Sequence, residues 1–527
     1  MQKNLSIIAK AVSIALALGA SSGSFAADTY GINAKETDIN DTTTKIIKDV
    51  DIGVNATKDA QKNPLTARLT NESLSISAKK YGVQAENKGS VYLKATTGDI
   101  TINTSCKDSQ SSSAYGINNK SGTTVEAEAN NIYINSEANH VSLGISVKNS
   151  YSYTSTVNLK ALDTISIISN SANSAKGIQA DGKNKTSNLE AQNIILNTVG
   201  KGTNEDSDAI AVYNVNGATT NLKADTINIT TEGKTAYGVQ NGLTNSTNAS
   251  TVKLGNENSV ITINATGSKA AAGIVNLING TTNVNGKSLA ITSTATTESG
   301  DSIGILAQNN NTDNKISTIN INTTTTTINA HDALVAFSGS TLNVESDIYS
   351  KGANAITTRG KSMININTQG NDHIVKLNGD INFNVTKNEG GLVADSTVNI
   401  KLTNKDSYLN GNIIKTLSGS PEGVDMTVNN MNMTLENGGT WNTNADSFVN
   451  NLTLDGGIIN AKSEKQTITV DNLKGNGNVN LAATTDGSTI NTSKITVEKA
   501  EEGSHLNANL TGITADDIKN VDKALES

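Results

Sequence analysis

Residue types that commonly do chemistry are few in this chain and lie far apart. The four histidines lack the spacing of metal ligands: His140, His331, His373 and His505. Cys106, the only cysteine, has no histidine nearby in the sequence that would make it a nucleophile. No serine lies in a Gly-Asp-Ser-Gly or Gly-x-Ser-x-Gly motif. The sequence therefore predicts no catalytic cluster, and it assigns no catalytic, cofactor-binding or metal-binding residue.

Three aspartates recur at positions where a calcium site could form. Asp99, Asp163 and Asp225 fall at similar points of their repeats, just before a strand. They could align into an acidic row that binds Ca²⁺. The favoured interpretation is that aspartate simply suits the turn at this point, and the Gly-Gly-x-Gly-x-Asp nonapeptide of calcium-binding β-rolls does not occur.

Polysaccharide-active enzymes are the main catalytic alternative, because some parallel β-helices act as lyases or hydrolases. Their sites gather acidic residues with Arg or Lys on neighbouring coils. Arg68 and Arg359 are the only arginines of this chain. The enzyme class stays open as an alternative, although the sequence favours a protein without catalytic activity.

The N-terminus has the three parts of a secretory signal peptide. Lys3 and Lys10 are followed by an apolar run over residues 11–18 and then by small residues before Ala26. This run is too short for a membrane-spanning helix, which needs about twenty apolar residues. We therefore expect residues 1–26 to be a signal peptide and the remainder to be exported. A single cysteine can form no internal disulfide, so stability must come from elsewhere.

A short marker repeats along the first two thirds of the chain. It is Gly followed by Ile or Val and a polar residue, as in Tyr81-Gly82-Val83-Gln84, and it recurs about every thirty residues. Between the markers lie two further segments of alternating apolar residues. Each repeat thus predicts three short strands, which can bury their apolar row only by stacking on neighbouring repeats. The expected fold is all-β, a right-handed single-stranded parallel β-helix with three short strands per coil. The residues expected to point inward are Ile32, Val83, Ile117, Ile178, Val239 and Ile305.

The polar residues of the strands also have an expected place. Outward positions should lie above their equivalents in adjacent coils, where amide and hydroxyl groups can hydrogen-bond in ladders. This applies to Thr101, Asn103, Asn135, Asn228 and Thr230.

The C-terminal third carries a different set of motifs. Gly439-Thr440-Trp441-Asn442 is followed by the sequences NLTLDGG (451–457) and TVDNLKGNG (469–477). In this order they resemble the C-terminal part of pertactin-like autotransporter passenger domains, over about residues 435–485. The resemblance implies that Trp441 and the strands after it cap the solenoid, form its most stable part and seed its folding outside the cell. It also implies an outer-membrane β-barrel translocator, which is expected outside this chain.

Four segments follow from these observations. Residues 1–26 are the signal peptide, 27–365 the repetitive β-helix, 366–512 the C-terminal coils, and 513–527 a short helix or linker. The helix should begin with a capping box formed by Thr514 and Asp517. The chain is expected to be either a truncated or split autotransporter or an exported protein that has no barrel.

Charge and composition narrow the choice of function. The net charge of −8 opposes binding to nucleic acid or anionic membranes. We expect an adhesin or surface-interaction rod at the cell surface, the outer membrane or outside the cell, or in the periplasm if no barrel is supplied. Its expected partners are glycans or proteins on host or neighbouring cells. A polysaccharide-active enzyme and a purely structural envelope component remain the alternatives.

Overall fold

The structure is a computed structural model of the 527-residue chain. It describes residues 28–519 except 149–152, 203–206, 244–246, 310–315, 389–390, 394–395 and 419–428. The expected signal peptide, residues 1–26, lies outside the described residues.

The chain forms a parallel β-solenoid of about 14 turns, and 72% of its residues are in strands. This confirms the predicted parallel β-helix. Stacked at roughly 4.8 Å per turn, the coils make a rod about 65 Å long. The strands, numbered β1 to β37 in chain order, are Tyr30–Ala34, Ile39–Asp41, Ile46–Ala56, Thr66–Asn71, Leu74–Glu86, Ser90–Ala95, Ile100–Cys106, Ser113–Lys120, Thr124–Ala138, Val141–Lys148, Ser155–Ser171, Ser174–Asp181, Lys185–Glu190, Asn193–Gly200, Asp208–Val215, Thr219–Lys223, Thr226–Asn241, Ser250–Leu254, Val260–Asn276, Gly280–Ala295, Asp301–Gln308, Thr318–Asn329, Asp332–Phe337, Thr341–Arg359, Met363–Ile366, Val375–Asn388, Gly391–Val393, Thr397–Leu402, Tyr408–Asn410, Ile413–Ser418, Asn430–Glu436, Thr440–Thr443, Ser447–Ala461, Thr467–Thr485, Ile490–Thr492, Lys494–Ala500 and His505–Thr511.

Each coil contributes to three faces. The first face carries the Gly-Ile marker, where Ile117 pairs with Val83 in the coil before and Ile145 in the coil after. The second face follows, with Val125 paired in the same way to Val91 and Val157. The third face is built alike, with Ile132 between Ile100 and Ile165. The predicted three strands per coil are therefore present.

One continuous core runs inside the rod, from Ile32 to Val479. All six residues expected to point inward are buried: Ile32, Val83, Ile117, Ile178, Val239 and Ile305. Trp441 is fully buried in the same core, and its indole Nε1 donates a hydrogen bond to Gly411 O at 3.0 Å. Strand pairing continues across residue 365, because Met363–Ile366 pairs with Thr397–Ile400.

The marker contains glycine for a steric reason, because a side chain at this position would clash with its neighbours. A Cβ added at Gly116 would lie 2.2 Å from Ile134 Cγ2 on the third face and 2.7 Å from Gly144 O. Such separations are far below van der Waals contact. The marker thus allows the first and third faces to approach closely where they meet a β-branched isoleucine.

The last coil leads into a helical turn at residues 515–519. Thr514 N donates to Asp517 Oδ2 at 2.8 Å, and Asp517 N donates to Thr514 Oγ1 at 3.2 Å. These reciprocal bonds are the expected capping box. No helix among the described residues is long and apolar enough to span a membrane.

Candidate functional site

The histidines and the cysteine do not come together. His331 contacts Asp332 at 2.9 Å, His373 contacts Asp347 at 3.3 Å, and His140 contacts an asparagine amide. Cys106 is buried in a small apolar cluster with two alanines. Within the described part of the chain, no group of three or more His, Cys, Asp or Glu side chains is arranged to hold a metal ion.

The three aspartates of the possible calcium row lie in alternate coils. Asp99 and Asp163 are separated by a coil that carries Asn131, so they are two turns apart, or about 10 Å. Asn131 Nδ2 donates to Asp99 Oδ1 at 2.8 Å, and Asn193 Nδ2 donates to Asp163 Oδ1 at 2.9 Å. These carboxylates accept hydrogen bonds from asparagine and are too far apart to share one cation.

The two arginines lie on different faces and each stacks on an aromatic ring of the next or preceding coil. Arg68 Cζ is 4.0 Å from the centre of the Tyr92 ring, and Arg359 Cζ is 4.4 Å from that of Phe337. Such contacts are favourable at partly exposed positions. Neither arginine lines the polar groove at the corner between the second and third faces.

A similar contact involves a lysine of the first face. Lys176 Nζ lies 4.3 Å from the centre of the Tyr213 ring. Burial lowers the pKa of Lys176, while Asp208 acts in the opposite direction. This ammonium is therefore held in a poorly solvated position.

Asparagine ladders cover two of the outer faces. The predicted Asn135–Asn103 hydrogen bond is present at 2.8 Å. A much longer ladder runs along the second face, with Nδ2 to Oδ1 distances of 2.6 to 3.0 Å; its members are Asn283, Asn320, Asn343, Asn365, Asn399, Asn432, Asn451 and Asn472. A second ladder on the third face has distances of 2.7 to 3.2 Å and joins Asn378, Asn410, Asn442, Asn460, Asn480 and Asn509. Because every amide binds its neighbour, these ladders are scaffold.

A polar groove opens where the second and third faces meet. It has a volume of about 730 Å³ and extends over five successive coils, from residues 256–257 to residues 369–373. Its lining side chains are amides, hydroxyls, carboxylates and one imidazole: Asn256, Glu257, Asn285, Asn322, Thr323, Thr324, Glu345, Asp347, Gln369, Asn371 and His373, with Gly286 between them. We call this feature the trough.

The trough follows one column of the solenoid. Asn285, Asn322 and Glu345 pair directly from coil to coil, so their side chains succeed one another along the axis. Each step is one strand spacing, about 4.8 Å. The trough is therefore parallel to the axis of the rod.

Two carboxylates of the trough are fixed by the segment that follows β25. Glu345 Oε1 accepts hydrogen bonds from Thr368 N at 2.8 Å and from Gln369 N at 3.2 Å. Asp347 Oδ1 accepts one from Ile374 N at 2.9 Å. Because backbone donors hold one oxygen of each group, the orientation of both carboxylates is set in advance.

The second oxygen of Glu345 is different. Glu345 is only 7% exposed, and its Oε2 has no hydrogen-bond partner in the described structure. At the same corner of the solenoid, three buried hydroxyls bond to one another: Thr326 Oγ1 is 2.7 Å from Thr323 Oγ1 and 2.9 Å from Ser346 Oγ. A buried carboxylate oxygen without a donor costs free energy, so any hydrogen-bond donor that gained access to Oε2 would be stabilised there.

Sequence reasoning missed the trough. The available signal was a carboxylate at Glu345, in the column where the two preceding coils carry Asn285 and Asn322, followed by the polar segment 367–373. Of the residues considered from the sequence, only His373 lines the trough.

Comparison with models of protein families, with curated proteins and with solved structures finds no match.

Proposed function

We propose that this chain is an exported surface protein, an adhesin-type rod that binds glycans or proteins of host or neighbouring cells without covalent chemistry. The observation that carries this proposal is the trough, an open polar groove along the side of a rigid solenoid. A long groove on stacked strands suits an extended ligand, because each coil repeats the same spacing of polar groups.

The rod supports this function physically. If one end of a solenoid about 65 Å long were anchored at a membrane, the rod would hold its lateral surface away from that membrane. Its strands are joined by backbone hydrogen bonds and its outer faces by asparagine ladders, so the trough is presented on a stiff support. We propose that the protein acts at the cell surface or outside the cell.

The proposed route to the surface is that of an autotransporter passenger domain. It is supported by the signal-peptide pattern of residues 1–26 and by the motifs of residues 435–485. A β-barrel translocator outside this chain would then be its partner in the outer membrane. Residues 435–485 would be the part that folds first.

A polysaccharide-active enzyme is the second candidate. It is favoured by one specific observation, that the trough contains two oriented carboxylates, Glu345 and Asp347. Glycoside hydrolysis generally requires two such groups, one of them protonated. A purely structural envelope component would use neither carboxylate.

Binding and turnover assays with the purified chain separate these functions. Adhesion is tested on immobilised cells and matrix proteins, and turnover by release of reducing ends or unsaturated sugars from a polysaccharide panel. Binding without release supports the adhesin. Release that is lost in Asp347→Asn would establish the enzyme, and the lack of both activities would leave the structural component.

A further inference from the structure

We infer that the trough binds a linear, uncharged polysaccharide whose chain lies parallel to the axis of the rod, with Glu345 as the main acceptor for its hydroxyl groups. This inference rests on the proposed surface-binding function and names the ligand class and the site. Four properties of the trough carry it.

The first property is shape. The trough crosses five coils, which corresponds to about 20 Å along the axis. The trough is open at the surface. A flexible single sugar would use one coil, whereas a linear chain of several sugars can contact all five.

The second property is charge. The lining contains three carboxylates, Glu257, Glu345 and Asp347, and neither lysine nor arginine occurs among the described lining residues. Uronic-acid, sulfated and phosphorylated polymers would be repelled, because like charges at short range disfavour binding. An uncharged polysaccharide meets no such penalty.

The third property is hydrogen-bonding capacity. Amide side chains such as Asn256, Asn285 and Asn322 both donate and accept, as sugar hydroxyls do. The described lining contains no Phe, Tyr or Trp ring, so it lacks the large apolar face on which a sugar ring would stack. Recognition must rest on hydrogen bonds repeated from coil to coil.

The fourth property is the state of Glu345. Its Oε1 accepts hydrogen bonds from Thr368 and Gln369, while its Oε2 is buried and lacks a partner. Because Oε2 is closed to solvent in the free chain, a ligand hydroxyl reaches it only when the 368–369 backbone moves and its bonds to Oε1 are exchanged for bonds to the ligand. A hydrogen bond to a charged group contributes more than one between neutral groups.

A divalent cation is the competing occupant, and the geometry disfavours it. Calcium takes six to eight oxygen ligands. One carboxylate oxygen of Asp347 and one of Glu345 already accept hydrogen bonds from backbone N–H groups. In the described part of the chain they belong to no group of three acidic or other ligating side chains around a common centre.

The test is a binding assay of the full chain on immobilised neutral polysaccharides (glucans, mannans and galactans) and on acidic ones (alginate, hyaluronate and heparin). We expect retention on at least one neutral polymer and none on the acidic ones. Glu345→Gln keeps the shape but replaces Oε2 with a donor, and it should weaken binding about tenfold or more. The matched control is Glu232→Gln, an exposed glutamate outside the trough, which should leave binding unchanged.

A second pair of variants guards against misfolding at the buried glutamate. Asn322→Lys fills the trough from an exposed position and should abolish binding, whereas Asn264→Lys makes the same change at an exposed third-face position outside it. Equal binding by both lysine variants would overturn the inference. So would loss of binding in EDTA, or retention only on acidic polymers.

Failure of the inference is distinguishable from failure of the proposed function. A chain that adheres to cells or matrix proteins but retains no neutral polysaccharide refutes the trough as a glycan site and leaves the adhesin standing. A chain that binds none of these targets refutes both.

Discussion

Replacing a marker glycine with alanine tests the steric role assigned to it. At Gly116 the new Cβ would lie 2.2 Å from Ile134 Cγ2 and 2.7 Å from Gly144 O. At Gly177 it would lie 2.6 Å from Ala211 O, and its three nearest atoms are all backbone atoms of Ala211. Neither glycine lies in the left-handed region of φ.

The two variants therefore share the backbone contact and differ in the isoleucine contact. Overpacking of a close-packed core costs about 1–3 kcal/mol. We expect the free energy of unfolding to fall by about 2 kcal/mol more in Gly116→Ala than in Gly177→Ala. In the Gly177 coil, the third-face residue equivalent to this isoleucine is Leu196, which pairs with Ile167 of the coil before. Leucine has no branch at Cβ, which supports the expected difference.

Urea unfolding followed by far-UV circular dichroism measures the difference, and a double-mutant cycle assigns its cause. Adding Ile134→Leu to Gly116→Ala should recover at least about 1 kcal/mol relative to the sum of the single changes. Hydrogen exchange of residues 113–120 would show whether the loss is local to this coil. Equal losses at the two glycines, or no coupling to residue 134, would refute the steric explanation of the marker.

Four further predictions concern other parts of the rod. Trp441→Ala should lower the free energy of unfolding by about 3–5 kcal/mol and expose the paired strands Tyr408–Asn410 and Ser447–Ala461 to protease, whereas Trp441→Phe should cost less. Mass mapping of the fragments checks this. In wild type, the urea midpoint measured by Trp441 fluorescence should lie above the midpoint measured by far-UV circular dichroism. A lower fluorescence midpoint would contradict a stable 435–485 region. Asn365→Asp removes one ladder donor and should cost about 1–3 kcal/mol at neutral pH, with part of the loss recovered at acidic pH, where a protonated aspartate can donate; urea midpoints at both pH values decide. Burial lowers the pKa of Lys176 in the folded state, so the folded chain binds fewer protons than the unfolded chain between that pKa and about 10.5. The stability of the wild type relative to Lys176→Met should therefore rise with pH in this window. A stability difference that does not change with pH would argue against the burial of this ammonium.

The fold was predictable from the sequence because its cause is periodic. Alternation along each strand determines which side chains point inward, as at Val83 and Ile117, and the recurring marker sets the stacking. Both signals survive loops of different length, since an inserted loop leaves the strands on either side unchanged.

The trough was not predictable in the same way. Glu345 shares a column with Asn322 and Asn285 only because two coils of unequal length, 37 and 23 residues, bring these residues into register. The donors that fix Glu345 come from Thr368 and Gln369, after a turn in which Asn367 has φ of 55°. Such contacts depend on coil-to-coil register, which the separation of residues along the chain does not give.

The aspartate row depends on repeat length instead, because Asp99 and Asp163 are 64 residues, or two repeats, apart. From the sequence, Asp99 and Asp163 occupy equivalent points of their repeats. The structure places them two coils apart, with an asparagine between them that binds the first carboxylate. Equivalent positions in a repeat become neighbours only when they belong to adjacent coils.

The two asparagine ladders give the outer faces of the rod an electrostatic polarity along its axis. In both long ladders the Nδ2 of each asparagine donates to the Oδ1 of the coil before it, from Asn472 back to Asn283 and from Asn509 back to Asn378. The amide dipoles consequently point the same way and add, with their positive ends toward the N-terminal coils and their negative ends toward the C-terminal ones, as peptide dipoles add in a helix. Each hydrogen bond also polarises the next. A shorter contact follows the same rule, since the NH₂ of Asn131 faces the carboxylate of Asp99. The outer faces along these ladders thus carry an axial polarity that the net charge does not reveal. A buried amide such as Asn214 opposes it, because its Nδ2 donates to Asn241 Oδ1 in the coil after it.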